Sequence, residues 1–279
     1  MDVAVCVKQI PSPDSPGALD PDTYNLVRAG GLVLDDSDTY SVEMALRLAE
    51  QSGGGEVTLV SMVPGGETAG LRTALAMGAA RAVLVSDAAL AGSDALATAK
   101  VLAAAVRRTG ARLVLAATES TDGYTGTVPV QLAELLGYPS VSFAKHVELV
   151  GREGGGTGPG DVGPGDLGPG DLELRVHRQT EAGFDEVTCP LPAVVTVTAG
   201  VVEVRYPTVK GIMGARSKPI EQLDLADLGI DSSLTGAVGA RQQVLSVRPV
   251  EARQAGEVIV DQGDAHERIV AALASWKVI

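Results

Sequence analysis

The residues best suited to chemistry in this 279-residue chain are hydroxyls and glycines packed into one stretch, Thr118-Glu119-Ser120-Thr121-Asp122-Gly123-Tyr124-Thr125-Gly126-Thr127-Val128-Pro129. It follows a run from Arg112 to Ala116 that reads as a strand, and it precedes a helical pattern from Val128 to about Leu136. Glycines let a backbone approach a phosphate, hydroxyls donate to its oxygens, and the following helix offers free N–H groups and its positive dipole end. That is a nucleotide-phosphate site in outline, although loops of this composition also serve as plain strand-to-helix turns.

Other chemical signals are sparse. The first strand is followed by Lys8-Gln9-Ile10-Pro11 rather than a Gly-x-Gly-x-x-Gly turn, and there is no Walker sequence. Gly53–Gly55 precedes a strand and reads as a turn. No Gly-x-Ser-x-Gly elbow occurs, nor any legible arrangement of Cys, His and acid. Asp35, Asp36 and Asp38 stand just before a helix, where acids complement the dipole. Cys6 and Cys189 lie far apart and read as small buried hydrophobes, with no disulfide framework. His146, His177 and His266 have no His or Cys neighbour at ligand spacing, so no metal is expected. With no catalytic side chains visible, the chain reads as a carrier whose cofactor does the chemistry rather than as an enzyme.

These residues need a scaffold, and the first 140 positions supply one as repeated strand–helix units. Strands are expected at Val3–Lys8, Glu56–Met62, Ala82–Val85 and Arg112–Ala116. A helix capped by Asp38 carries Val42, Ala45, Leu46 and Ala49 on one face and stops at Gly53; others run from Glu67 to Met77, from a Ser93 cap, and from Val128 to Leu136. The fold class is therefore α/β, a parallel sheet with covering helices. Further strands are expected at Val141–Val150, Leu172–Gln179 and Leu191–Val197. Between the first two of these, Gly-Pro-Gly-Asp occurs three times, at 158–161, 163–166 and 168–171, which reads as a solvated loop without calcium-ligand spacing. From Val204 to Pro249 both helix and strand signals are weak, as in an arm that wraps a partner, and an amphipathic helix runs from Asp264 to about Trp276.

Composition narrows the class further. At 45% hydrophobic residues the chain can bury a large core. No window approaches the roughly 18 consecutive apolar residues of a membrane span, and Met1 leads directly into Val3-Ala4-Val5-Cys6-Val7, so a soluble cytoplasmic protein is expected. The net charge of −13, from 35 acidic and 22 basic residues, argues against a nucleic-acid partner.

Several motifs then occur together in order: Val5-Cys6-Val7-Lys8-Gln9, Leu71-Arg72-Thr73-Ala74-Leu75-Ala76-Met77-Gly78-Ala79, Ser120-Thr121-Asp122-Gly123, Leu191-Pro192-Ala193-Val194-Val195-Thr196 and Arg205-Tyr206-Pro207-Thr208-Val209-Lys210-Gly211-Ile212-Met213. In these the chain resembles the beta subunits of electron-transfer flavoproteins over nearly its whole length. The resemblance implies an adenine-nucleotide-binding α/β fold, with residues 1–200 as the nucleotide domain, a low-complexity insertion at 154–171, and residues 201–279 as an arm and helix wrapping an alpha subunit. It implies FAD shared with that subunit and AMP as a structural ligand. The AMP wall would be Cys6, Asp35, Asp36, Ser37, Asp38, Met62, and Ala117 to Val128. Electrons would pass from acyl-CoA and other dehydrogenases to a quinone oxidoreductase of the respiratory chain. Arg205, Tyr206, Val209, Ile212 and Met213 would form the partner-recognition segment, with Val209 where the family inserts a leucine into a dehydrogenase pocket.

The chain also departs from the family. Glu181-Ala182-Gly183 keeps one glycine of a usual pair, Pro13 stands where some relatives place a tyrosine against the flavin, and the Gly-Pro-Gly-Asp insertion replaces a short hairpin. Three alternatives stand beside the carrier reading. The first is a beta subunit of an electron-bifurcating flavoprotein with a second FAD, and the second a non-redox adenine-nucleotide-binding regulatory protein. The third, an ATP-pyrophosphatase, would want a Ser-Gly-Gly loop that the first strand lacks.

Overall fold

In the computed structural model the described residues are 1–14, 17–28, 30–151, 172–248, 250, 256 and 258–279. The Gly-Pro-Gly-Asp repeat and the expected insertion at 154–171 lie outside them. The chain divides into two units, Met1–Val244 and Leu245–Ile279.

Five short runs with few polar residues build the centre of the first unit: β1 (Val3–Cys6), β4 (Val57–Met62), β5 (Arg81–Val85), β6 (Leu113–Ala117) and β10 (Ala193–Val197). They are apolar on both faces, as parallel strands covered on both sides must be. Val3 pairs with Val57 on one side and with Leu113 on the other, both in parallel register. The remaining strands are β2 (Gln9–Pro11), β3 (Leu32–Leu34), β7 (Ser140–Gly151), β8 (Leu172–Thr180), β9 (Gly183–Pro190) and β11 (Ile220–Leu223). The main sheet runs β11-β5-β4-β1-β6-β10-β7-β8-β9, with β7, β8 and β9 antiparallel, while β2 and β3 pair separately.

Alternation along the strands sorts the core into two layers. Val3, Val5, Leu59, Leu113 and Leu115 pack with Val42, Leu48, Leu71 and Leu75 of α1 (Asp36–Gln51) and α2 (Ala69–Met77). Ala4, Val60, Val114 and Val194 face the other way, toward Val101 and Val106 of α3 (Ala95–Thr109) and Leu132 of α4 (Val128–Leu136).

The helix starts differ from expectation by short, instructive steps. Asp35 rather than Asp38 caps α1, accepting from the Ser37 N–H, and Asp94 rather than Ser93 caps α3, accepting from Ala97. In both places two polar residues able to cap lie close together, and only the backbone decides between them. Gly110 and Gly137 end α3 and α4 in the left-handed conformation.

The segment after β10 departs furthest from the sequence pattern. Residues 201–244, expected to belong to an arm, cluster with the residues before them. Ile220–Leu223 adds a parallel strand beside β5, with Leu223 and Leu225 buried. Val209–Ala215 forms a short helix, α5, despite carrying Gly211 and Gly214. Tertiary contact overrides propensity here: Thr208 caps the helix through Gly211 N–H, and α5 lies so close to α2 that a Cβ on Gly211 would come 2.6 Å from the Ala76 carbonyl oxygen. β9 was also not foreseen as a separate strand, because of its residues only Cys189 is buried. A further single-turn helix, α6 (Gly236–Gly239), completes the first unit, and α7 (Ala265–Ser275) lies in the second, close to its expected bounds. Every residue of α7 is at least partly exposed.

The two glycines of α5 should respond oppositely to the same change. Gly211→Ala has to push α5 off α2 and should cost about 1–3 kcal/mol in urea denaturation. Gly214→Ala, with no atom within 4 Å of the new methyl, should be neutral or stabilise by up to about 1 kcal/mol. Equal losses at both positions would mean that helix propensity, not the contact with α2, governs this segment.

Candidate functional site

Because the central strands are parallel, their carboxyl ends emerge on one edge, and the residues singled out in the sequence meet there. Cys6, Met62 and Ala117 end β1, β4 and β6, and helices α1 and α4 begin beside them. Asp35 ties the two helix-entry segments together. Fully buried, it accepts from the Ser37 N–H at 3.0 Å and Ser37 Oγ at 2.6 Å with one oxygen, and from the Thr121 N–H at 2.7 Å with the other. Ser37 Oγ also reaches the Glu119 carbonyl at 3.2 Å. Asp36 is exposed.

Asp38 is buried and accepts from the Lys8 N–H at 2.6 Å. Burial pushes its carboxyl well above the ordinary range; backbone hydrogen bonds from Lys8 and Ala117 pull the other way, and the Asp35 charge adds to the rise. Burial, and then Asp38, push the Cys6 thiol up to about 12. Cys6 is therefore held as a thiol, unsuited to nucleophilic work.

The loop from Thr118 to Thr127 is anchored on both flanks. The Thr118 N–H donates to the Val197 carbonyl at 3.1 Å, and its hydroxyl pairs with that of Thr196 at 3.0 Å. Asp122 receives Lys8 Nζ at 2.6 Å on one oxygen and Arg28 Nη2 at 2.7 Å on the other. Burial alone would raise the Asp122 carboxyl, but the hydrogen bond and charge of Lys8, then Ser120 and Arg28, hold it below its usual value. Lys8 Nζ also donates to Ser120 Oγ at 3.0 Å. Neither Lys8 nor Arg28 was foreseen in this role. Lys8 lies next to the first strand and so had a positional signal, whereas Arg28 had none.

The centre of the loop is open. Tyr124, with φ of 46°, and Thr125 are exposed, and Gly126 takes a φ of +66° that a side chain would strain. Gly123 has room: a Cβ there would find its nearest neighbours at 3.8 Å. Thr127 makes no side-chain cap on α4, and Pro129 near the helix start has no N–H to offer. The first turn of α4 is left uncapped by any side chain, Thr125 and Thr127 beside it are exposed, and Val128 lies at the helix entry.

The residues expected to recognise a partner lie apart from this loop, on α5 and the segment before it. Tyr206 is 92% exposed, Val209 76%, Met213 71% and Ile212 53%. Arg205 differs from the other four, since its guanidinium is bound to Glu43 and Glu50 of the same chain. A third feature is an open groove of about 430 Å³ bordered by Ser12, Pro13, Asp14, Val33, Leu34, Asp36, Thr39 and Thr73. It shares Asp36 with the acidic run but none of the glycine loop. Among the described residues no group of His, Cys, Asp or Glu is arranged to hold a metal ion, and no helix is long and apolar enough to cross a membrane.

Comparison with known proteins identifies the family. A family model described as an electron transfer flavoprotein domain matches residues 23–228. The chain is 35% identical to the electron transfer flavoprotein subunit beta of Mycobacterium tuberculosis over 99% of both chains. It is 32% identical to the subunit beta of Thermoanaerobacterium thermosaccharolyticum over the whole of both. It is 31% identical to the caffeyl-CoA reductase-Etf complex subunit CarD of Acetobacterium woodii, covering 93% of this chain and 92% of that one. A mostly parallel sheet and these end-to-end matches lead to one conclusion: the chain belongs to the electron transfer flavoprotein family, as a beta subunit, an electron carrier as that family's name states.

Proposed function

We propose that this chain pairs with an electron-transfer flavoprotein alpha subunit in the cytoplasm and braces an FAD held mainly by that subunit. The pair takes electrons from acyl-CoA and other dehydrogenases and delivers them to a quinone oxidoreductase of the respiratory chain. The observation that carries this reading is the open loop at Gly123–Thr127 and the uncapped start of α4, set at the end of central strand β6 in a chain matched end to end by beta subunits. FAD supplies the redox chemistry. The side chains of this protein bind and orient.

AMP is the ligand assigned to the strand-end site. Its phosphate would be held by the first turn of α4 with Thr125 and Thr127, while Asp35 and the Lys8–Asp122–Arg28 group keep the loop in place. Leu245–Ile279 is assigned to wrapping the alpha subunit. Val250 is 94% exposed there, and Val258, Trp276 and Ile279 are also open. The likeness to the Acetobacterium subunit favours one second reading, a bifurcating flavoprotein with FAD in place of AMP. Purifying the heterodimer and identifying its released nucleotides separates the two: one FAD with one AMP supports the carrier, two FAD support bifurcation, and a flavin-free homodimer overturns both.

Gly123→Val should lower the adenylate content of the purified heterodimer before it lowers FAD. The protein itself has space for the new side chain's Cβ, so a loss reports on the approach of a ligand rather than on folding. Gly126 is the poorer test, because its positive φ makes any replacement strained. Full AMP occupancy in folded Gly123→Val would place the phosphate elsewhere.

Val209→Ala should slow electron transfer from an acyl-CoA dehydrogenase about tenfold if the anchor contributes about 1–2 kcal/mol. With Val209 76% exposed, melting temperature and FAD content should stay nearly constant. A fall in melting temperature with transfer per folded molecule preserved would assign Val209 to this protein's own packing.

A further inference from the structure

The exposed surface on α5 is held from beneath by charges that belong to other elements. Glu43, in the middle of α1, keeps only 2% of its side chain exposed. Arg205 Nε meets one of its oxygens at 2.6 Å and Arg205 Nη2 the other at 3.2 Å, a two-pronged pairing, while Arg205 Nη1 reaches Glu50 at 3.1 Å. Arg47 completes the group from one turn along α1, donating to Glu43 at 2.8 Å and to the Glu203 carbonyl at 2.8 Å. Burial alone would raise the Glu43 carboxyl, but hydrogen bonds from Arg205 and then Arg47 hold it below its usual value, so it stays ionised. Both residues flanking Val204 are therefore fastened to α1.

The far end of the same segment is fastened to α2. Arg72 Nη1 donates to the carbonyls of Ala215 and Lys218, each at 2.7 Å. Lys218 Nζ donates to Leu75 at 2.8 Å and Ala79 at 2.7 Å. Between these fastenings stand Tyr206, Val209, Ile212 and Met213, with their side chains turned to solvent.

We infer that Glu43 is a positioning residue for docking: through Arg205 it fixes where the Tyr206–Met213 surface begins, as Arg72 fixes where it ends. This rests on the reading of that surface as the dehydrogenase contact. Arg205 keeps 37% of its side chain exposed. Released from Glu43, it can turn to water and carry the neighbouring backbone with it, which disturbs the surface without exposing the core. A surface fixed before contact loses little freedom on binding, so slackening it weakens encounter more than it slows electron flow.

The experiment measures steady-state transfer from a medium-chain acyl-CoA dehydrogenase to the purified heterodimer, comparing Glu43→Gln, Val209→Ala and the double variant. Glu43→Gln keeps the side chain's shape and removes its charge. It should raise the KM for the flavoprotein about five- to tenfold, with kcat and FAD content unchanged. In the double variant the two fold-changes should not multiply, because both act through one surface. Should Glu43→Gln fail to assemble, Arg205→Lys, which loses the two-pronged pairing, carries the same expectation. If Val209→Ala raises KM while the Glu43 and Arg205 variants do not, or if their effects multiply, the positioning role is overturned and the docking surface stands. If none of the variants changes KM, the docking reading fails and takes this inference with it. A loss of FAD or melting temperature with KM per flavin preserved makes Glu43 an ordinary structural residue and also overturns the proposal.

Discussion

Helices cover both faces of β1, β4 and β6, and that double cover governs where chemistry can occur in this molecule. A strand buried on both sides has no place for a ligand-facing group along its length, because an unpaired polar atom there would be costly. Val3, Ala4 and Val5 are fully buried, and groups able to meet a ligand are displaced to the point where the strand ends. Cys6, Met62 and Ala117 mark that edge, and the turn into α4 is a stretch of irregular backbone on it that is rich in hydroxyls and glycines. The site follows from the way the sheet is covered.

The electrostatics of the edge are less simple than an anion site would suggest. Two buried carboxylates, Asp35 and Asp38, lie among the residues singled out for nucleotide contact. Asp35 spends its charge on backbone and hydroxyl donors of α1 and the loop, and burial favours the protonated form of Asp38. The two nearby cations, Lys8 and Arg28, are shared with Asp122. In a chain of net charge −13, local neutralisation of this kind takes charge off the loop that leads into α4.

The regular part of the fold was legible because burial on both faces leaves strong marks. The run at 113–117 is apolar without interruption, that at 57–62 is broken only by the small hydroxyls of Thr58 and Ser61, and α4 ends where Gly137 allows it to. The loop of the candidate site was legible for a similar reason, since its glycines and hydroxyls are contiguous. What escaped was structure made by contact between distant segments. α5 has two glycines in seven residues and is helical because α2 lies against it. β11 is four residues at a sheet edge, and its neighbour β5 lies far back in the chain. Arg28 and Glu43 belong to the same class: a charged residue in a loop or on a helix face carries no mark of the partner it will meet.

The ends of the sheet bear on the company this chain keeps. Edge strands offer unpaired backbone groups to any strand that comes near, including the same strand of another copy. β9 closes one end with Asp185 and Glu186 exposed, and β11 closes the other with Glu221 exposed. Two copies meeting edge to edge would bring these acidic residues together, although Phe184 on β9 is also exposed. A subunit built to join a different chain is thereby discouraged from polymerising with its own kind before that chain arrives.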